Sequence, residues 1–344
     1  MRDKNRIDIT IKDIAEHLGL SHSTVSRALR DVSSIRLETR ARVKEAAAAM
    51  GYIPNAGARM LRQTQSDLIG VIFPDIQNDF YSATMTTLAS AFLEHSYKLV
   101  LATSEDSPAT ELKHIQSLRE ARVAGVIIAP TAGMARASQD LLSSIPTIQL
   151  LRQHPRLHTA VVKVDEREGI AMGVRHLVDR GHRRIGLIAG FGALSTGRER
   201  EDGYIDALAS AGIEHDPALI WQGSPRPGFG HEAMAALLDL AAPPSAVVMA
   251  SPQLTLGALA AIQERKIQVP SQLAIVGYHD PDWFRLWGAT GITSIRLPIQ
   301  DMAATAASIL LRKLKQNGSA PDEEDNAGAD IVKFRPRLLV RGTT

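Results

Sequence analysis

The 344-residue chain contains no cysteine. That absence excludes disulfide bridges and thiolate zinc sites and suits a reducing compartment. No run reaches the roughly 18 continuous apolar residues that a membrane span needs. The opening segment, MRDKNRIDIT, offers no apolar stretch to act as a secretory signal. A soluble, cytoplasmic protein with no membrane partner is therefore expected. Catalytic signatures are missing too: there is no HExxH, no P-loop and no GxSxG segment. Gly190-Phe191-Gly192 follows a strand-like run, but Ser195 stands where a dinucleotide fingerprint needs its third glycine. His154 and His158 are four apart, and Pro155 between them argues against a metal-binding helix. No catalytic residue, metal ligand or cofactor is nominated, and an enzyme is not expected.

What is present is unevenly charged. Residues 1–62 hold 12 Lys and Arg against 7 Asp and Glu, while the remainder holds 27 against 30. A basic head on a slightly acidic body suits a polyanionic partner for the head. At 44% hydrophobic the chain can bury a large core. Its length exceeds what one ordinary core holds, which predicts one small and one large unit, the large one in two lobes.

Three short helical patterns fill residues 11–50. The first runs from Ile11 to Leu18 and stops at Gly19. The second opens at Ser21, a good N-cap, and runs to about Leu29; the third runs from about Glu38 to Met50. Beyond Leu68 the texture changes. Apolar runs at 68–73, 98–103, 123–130, 146–151, 160–164, 184–190, 245–250 and 273–277 alternate with amphipathic helical stretches. Such alternation implies parallel sheets covered by helices on both faces. Residues 316–330 are polar and acidic and read as a surface loop before one last strand at 333–341.

Residues 11–30 have the requirements of a helix-turn-helix. Ala15 is small where the two helices meet, and Gly19 tolerates the positive φ of the turn. Ile14, Leu18, Leu20, Val25 and Ala28 are spaced to pack the pair on a third helix. The second helix would then present its early residues to base edges, with His22, Ser23, Ser26 and Arg27 outward. Arg27 can bond two acceptors on one guanine.

The text "TIKDIAEHLGLSHSTVSRALRD", followed by "TRARVKEAAAAMGYIPNAGARMLR", resembles the DNA-binding domain of the lac-repressor family. "IGVIFPDIQNDFYS", "RVAGVIIAP", "RGHRRIGLIAG", "REREDGYIDALASAG", "GALAAIQERKIQVPSQLAIVGY" and "LLVRGTT" extend the resemblance in order through the chain. It implies a helix-turn-helix domain at 1–53, a hinge or linker at 54–66, and a bilobed α/β effector domain at 67–344 like the periplasmic sugar-binding proteins. It implies base contacts from His22, Ser23 and Arg27, and phosphate contacts from Thr10, Ser21, Thr24, Ser26 and Asn55. In a hinge helix formed on DNA, Ala58 enters the minor groove and Leu61 wedges open a base step. Arg36 stands where the family usually has a helix-capping Ser. The implied function is a sequence-specific transcriptional regulator, a repressor controlled by a small molecule. One head reads half a palindromic operator, so a homodimer is the minimum. A sugar-binding protein without a DNA role is the competing reading.

For the effector, the resemblance points to the cleft between lobes and to Asp75, Asn78, Phe80, Arg152, Arg200 and His279. Three positions break the family's sugar pattern. Ser251-Pro252 replace an Asn-Asp pair, and His279-Asp280 replace an Asp-Asp pair. Losing carboxylates while keeping two arginines favours an anionic effector, a sugar acid or a phosphosugar. Trp283, Phe284 and Trp287 fit either a wall of the cleft or simple lobe packing.

Overall fold

In the computed structural model, residues 9–29, 31–52, 66–316 and 330–344 are described. The expected hinge positions Asn55, Ala58 and Leu61 lie outside these residues, as do residues 317–329 of the acidic segment. The chain divides into two compact units, residues 1–64 and 65–344.

The small unit is three helices: α1 (Ile11–Leu18), α2 (His22–Leu29) and α3 (Leu37–Ala49). Thr10 and Asp13 close a capping box at the start of α1, the Thr10 N–H and hydroxyl both donating to the Asp13 carboxylate at 2.7 and 2.8 Å. Gly19 ends that helix with φ of 65° and lets the chain turn. Ser21 accepts the Thr24 N–H at 3.1 Å and opens α2. Ile14, Ala15, Val25, Ala28, Val43, Ala46 and Ala47 form the core, with Leu18 and Leu20 at its edge. Arg36 does cap α3 in place of a small polar residue, and its side chain makes no capping bond.

The large unit begins with β1 (Leu68–Phe73), α4 (Asp79–Leu93), β2 (Lys98–Thr103), α5 (Pro108–Glu120), β3 (Gly125–Ile128), α6 (Arg136–Ser143), β4 (Thr147–Leu150) and β5 (Ala160–Val164). It continues through α7 (Glu166–Asp179), β6 (Ile185–Gly190), α8 (Ser195–Ser210), β7 (Ile220–Gly223), α9 (Pro227–Leu238), β8 (Ala246–Met249) and α10 (Pro252–Glu264). It closes with β9 (Ala274–Tyr278), α11 (Asp282–Leu286), β10 (Thr293–Arg296), α12 (Ile299–Gln316), β11 (Ile331–Phe334) and β12 (Arg337–Leu339).

These strands form two six-stranded sheets, ordered β11-β5-β4-β3-β1-β2 and β12-β10-β9-β8-β6-β7. All pairs are parallel except β10 with β12. The buried runs LIGVIF, GVII, IGLIAG and AVVM supply their middles, as expected of parallel strands covered on both faces. The chain passes between the lobes three times: after β5, after β10, and between β11 and β12.

Two expectations need correction. The last strand, read as one run at 333–341, is two strands in different sheets. Pro336, which has no N–H to give a ladder, sits where the chain changes lobes. Strands β7 and β10 were not anticipated, because IWQG and TSIR are short and interrupted by polar or glycine residues.

Candidate functional site

On α2, His22, Ser23 and Arg27 are exposed along one face, as the spacing requires. Ser26 is not: only 8% of it is accessible, because it follows Val25 on the flank that turns into the three-helix core. The hydroxyls of Ser21, Ser23 and Thr24 gather at the start of the helix, with Ser21 Oγ 2.9 Å from Ser23 Oγ and 2.8 Å from Thr24 Oγ1. Thr10, exposed, precedes α1. Polar hydroxyls with N-terminal helix turns, next to one exposed arginine, are the groups that bond phosphate oxygens and guanine edges.

In the large unit a cleft of about 520 Å³, counting space open to solvent, lies at the carboxyl ends of the strands of both lobes. Asn78, Phe80 and Tyr81 follow β1, and Leu151 and Arg152 follow β4. Thr196, Ser251, His279 and Leu297 follow β6, β8, β9 and β10. Five of the six anticipated residues therefore meet there: Asn78, Phe80, Arg152, Arg200 and His279. Asp75 is not among the wall residues, since its carboxylate accepts the Asn78 N–H at 2.8 Å within the loop after β1. Leu151 and His279 both hold positive φ, 66° and 69°. Strained conformations of this kind, directly after strands, turn Arg152 and the imidazole toward the cleft.

The two arginines are not left unmatched, which corrects the premise drawn from the lost family carboxylates. Arg200 Nε and one terminal nitrogen donate to Glu166 at 2.7 and 3.1 Å, and the other donates to the Ala250 carbonyl at 2.8 Å. Glu166 is fully buried and also accepts the Tyr278 hydroxyl. The Tyr278 ring lies under the guanidinium, 4.5 Å from centroid to carbon. Burial opposes the charge of Arg200, but the Glu166 carboxylate outweighs it and holds the guanidinium protonated. Arg152, 5% accessible, forks onto Asp106. Burial pushes the phenol of Tyr278, and then the charge of Glu166 pushes it further, well above its ordinary value.

His279 is neutral: burial pushes its imidazole down to about 4, against the pull of Asp280. It cannot serve as a cation for an anionic effector near neutral pH. Its Nδ1 is buried without a hydrogen-bond partner. Asp280, by contrast, faces away from the cleft, bound by Arg341 at 2.7 and 3.0 Å and by the Ser294 hydroxyl at 2.9 Å. Ser251 accepts the Leu254 N–H at 3.2 Å and caps α10. The aromatic cluster resolves toward packing: Phe284 is fully buried, Trp283 and Trp287 pack on the same core, and none of the three lines the cleft.

Glu166 and Asp106 were missed at the sequence level. Both sit in loops or first turns after strands, where a carboxylate among many gives no signal of its partner. Tyr81, Thr196 and Leu297, which also line the cleft, were missed because nothing in their local sequence separates them from residues packed in the core.

Residues 10–55 match the family described as bacterial regulatory proteins, lacI family, and residues 174–344 match the periplasmic binding protein-like domain. The transcriptional regulator GalS of Salmonella typhimurium is 30% identical over 305 residues, covering 88% of this chain and 89% of that protein. The transcriptional repressor PurR of Pasteurella multocida is 27% identical over 335 residues, covering 96% and 97%. Among solved structures, a lac repressor dimer bound to operator and the anti-inducer ONPF superposes with a TM-score of 0.82 at 26% identity, covering 98% of this chain and 99% of that one.

Proposed function

The chain belongs to the lacI family of bacterial regulatory proteins, and we propose how its residues divide the work of a DNA-binding transcriptional repressor governed by a small-molecule effector. Arg27, His22 and Ser23 read bases in the major groove, while Thr10, Ser21, Thr24 and Asn55 position the head on phosphates; Ser26, buried, is left out of that set. Ala58 and Leu61 act in the minor groove. The protein works as a homodimer on a palindromic operator, because one head covers one half-site.

The effector occupies the cleft lined by Asn78, Phe80, Arg152, Arg200 and His279. The observation that carries this reading is the convergence of two lobes' strand ends on one concave, largely apolar space with a few fixed polar groups. A sugar or sugar derivative fits such a wall: aromatic Phe80 and Tyr81 against a ring face, and guanidinium, amide and imidazole groups for hydroxyls. Because Glu166 and Asp106 already match the two arginines, this inner cleft by itself favours no negative charge on the ligand. Bare sugar-acid recognition by Arg152 and Arg200, expected from sequence, loses its physical basis here.

Two variants test the division. Arg27→Ala should cost about 1–3 kcal/mol per half-site and relax preference at one base position in a mobility-shift series. Arg200→Ala leaves Glu166 buried without its cation and lowers stability, but below its own melting temperature it should abolish the effector response and leave operator binding intact. Unchanged selectivity of the first variant, or an unchanged response of the second, would show the roles to be misplaced.

A further inference from the structure

A second chamber of about 790 Å³, counting space open to solvent, adjoins the cleft, and the two share Arg152 and Leu194 as walls. It is bounded by the Pro130–Met134 turn of the first lobe, by the segment after β4, and by the start of α8 in the second lobe. Its electrostatics differ from those of the inner cleft. The lining includes Arg152, Arg156, Arg198 and His154 and not one carboxylate. Arg152 is matched by Asp106. His154 is held neutral, since burial and the charge of Arg156 lower its imidazole and its Nδ1 accepts the Arg156 N–H at 3.3 Å.

Arg156 and Arg198 remain. Among the described residues neither has a carboxylate partner, and Arg198 donates only to the Ala193 carbonyl at 2.9 Å. Two unmatched guanidiniums in one concavity repel each other and attract a compact dianion. The first turn of α8 adds to this: its N-cap, Leu194, supplies no side-chain acceptor, so the helix start keeps its donors for another partner. The inner cleft, its arginines matched, favours no negative charge, whereas the outer chamber carries two guanidiniums without carboxylates.

We propose that the outer chamber is a phosphate subsite, and that the effector is a phosphate monoester whose ring sits in the inner cleft and whose phosphate meets Arg156 and Arg198. This rests on the inner cleft being the effector site. It moves negative charge from Arg152 and Arg200, which are matched, to a pair that is not. A phosphate monoester carries close to the two charges that two guanidiniums neutralise, and each can bond it with two parallel N–H groups.

The test titrates the full-length protein calorimetrically with inorganic phosphate and, separately, acetate. Wild type is compared with the Arg156→Gln/Arg198→Gln double variant and with a double Lys variant at the same positions. Both arginines are exposed, and thermal melts of each variant confirm the fold. Phosphate affinity should fall about tenfold or more in the Gln variant and recover in part in the Lys variant. Acetate should bind wild type more weakly than phosphate does. Arg27→Ala should not change the difference between wild type and the Gln variant, which separates the chamber from the basic head. Phosphate binding the Gln variant as tightly as wild type, or failing to bind wild type, would overturn the subsite. Acetate matching phosphate would overturn the phosphate assignment. Because Arg200→Ala should spare phosphate binding while removing the effector response, failure of the subsite and failure of the inner-cleft reading give different results.

Discussion

Glu166 holds Arg200 and Tyr278 together from a position with no access to water. Removing one partner of such a group leaves a buried charge, which typically costs about 3–5 kcal/mol. The network is therefore a rigid floor for the cleft, and Arg200 can meet a ligand without being reorganised. His279 is the other residue whose setting decides behaviour. Its imidazole, pushed down to about 4 by burial, would titrate near 6.5 in the unfolded chain. A depressed folded value means stability is fully present above pH 6.5 and is lost as pH falls from there toward 4. At pH 5 that loss amounts to about 2 kcal/mol. His279→Asn keeps a residue that tolerates positive φ and removes the titration. Urea unfolding of the variant between pH 7 and 5 should lose about 2 kcal/mol less than wild type; parallel losses would show that His279 does not carry the dependence. Which residues face the cleft was largely legible, because arginine, asparagine and histidine after apolar runs mark strand ends. What each was bonded to was not. Glu166 and Arg200 lie 34 positions apart and Asp106 and Arg152 46, so only the fold brings them together.

Helices α9 and α10 cross with their backbones nearly touching, and two glycines make that possible. A Cβ on Gly230 would overlap the Leu254 carbonyl, and a Cβ on Gly257 would overlap the Pro227 carbonyl and the His231 nitrogen. Each helix thus carries a glycine against the other's backbone, where no side chain can swing aside. Gly257→Ala gains helix propensity of about 1 kcal/mol, but it must push the helices apart. Overpacking of a closed contact costs about 1–3 kcal/mol, and backbone-on-backbone overlap lies at the upper end. We expect a net loss of stability in thermal unfolding, with Gly228→Ala, whose Cβ meets nothing within 4 Å, as the control that is unchanged or slightly stabilised. Equal melting temperatures for the two variants would contradict the packing argument. Elements differ in how far the sequence announces them. Long apolar runs such as LIGVIF and the capped, periodic helices of the small unit stand out, because their signal is local. The edge strand IWQG and the short TSIR are held by their neighbours β6 and β9, so their signal lies in the partners. The divided last strand shows the same limit of local reading: the proline between Arg335 and Arg337 marks a passage between sheets, and periodicity alone merges the halves.

Across the large unit, the cleft is spanned by bonds that belong to neither wall alone. The Gln253 amide on α10 donates to the Gln77 carbonyl of the first lobe, the Gln153 N–H donates to Ser195 Oγ at 3.0 Å, and Lys163 of β5 pairs with Glu199 of α8. Three chain crossings join the lobes and let them pivot, so these bonds bias the balance between closed and open forms. A ligand gripped by both lobes binds the closed form better and shifts that balance only by its difference in affinity for the two. Gln253 lies outside the inner cleft's walls, so its removal changes closure without removing a ligand contact. A neutral hydrogen bond is worth about 0.5–1.5 kcal/mol net, which corresponds to a two- to tenfold shift in the closed population. Gln253→Ala should therefore weaken binding of the effector found by a thermal-shift screen of sugars and phosphosugars by about two- to tenfold. If lobe closure governs the heads, the same variant should move operator affinity in the absence of effector, and in the direction opposite to the one the effector drives. Calorimetry for the first quantity and a mobility shift for the second read the two arms separately. A weaker effector with an unmoved operator affinity would place closure off the route between the sites. An unmoved effector affinity would show that the interlobe bond on Gln77 does not set the balance.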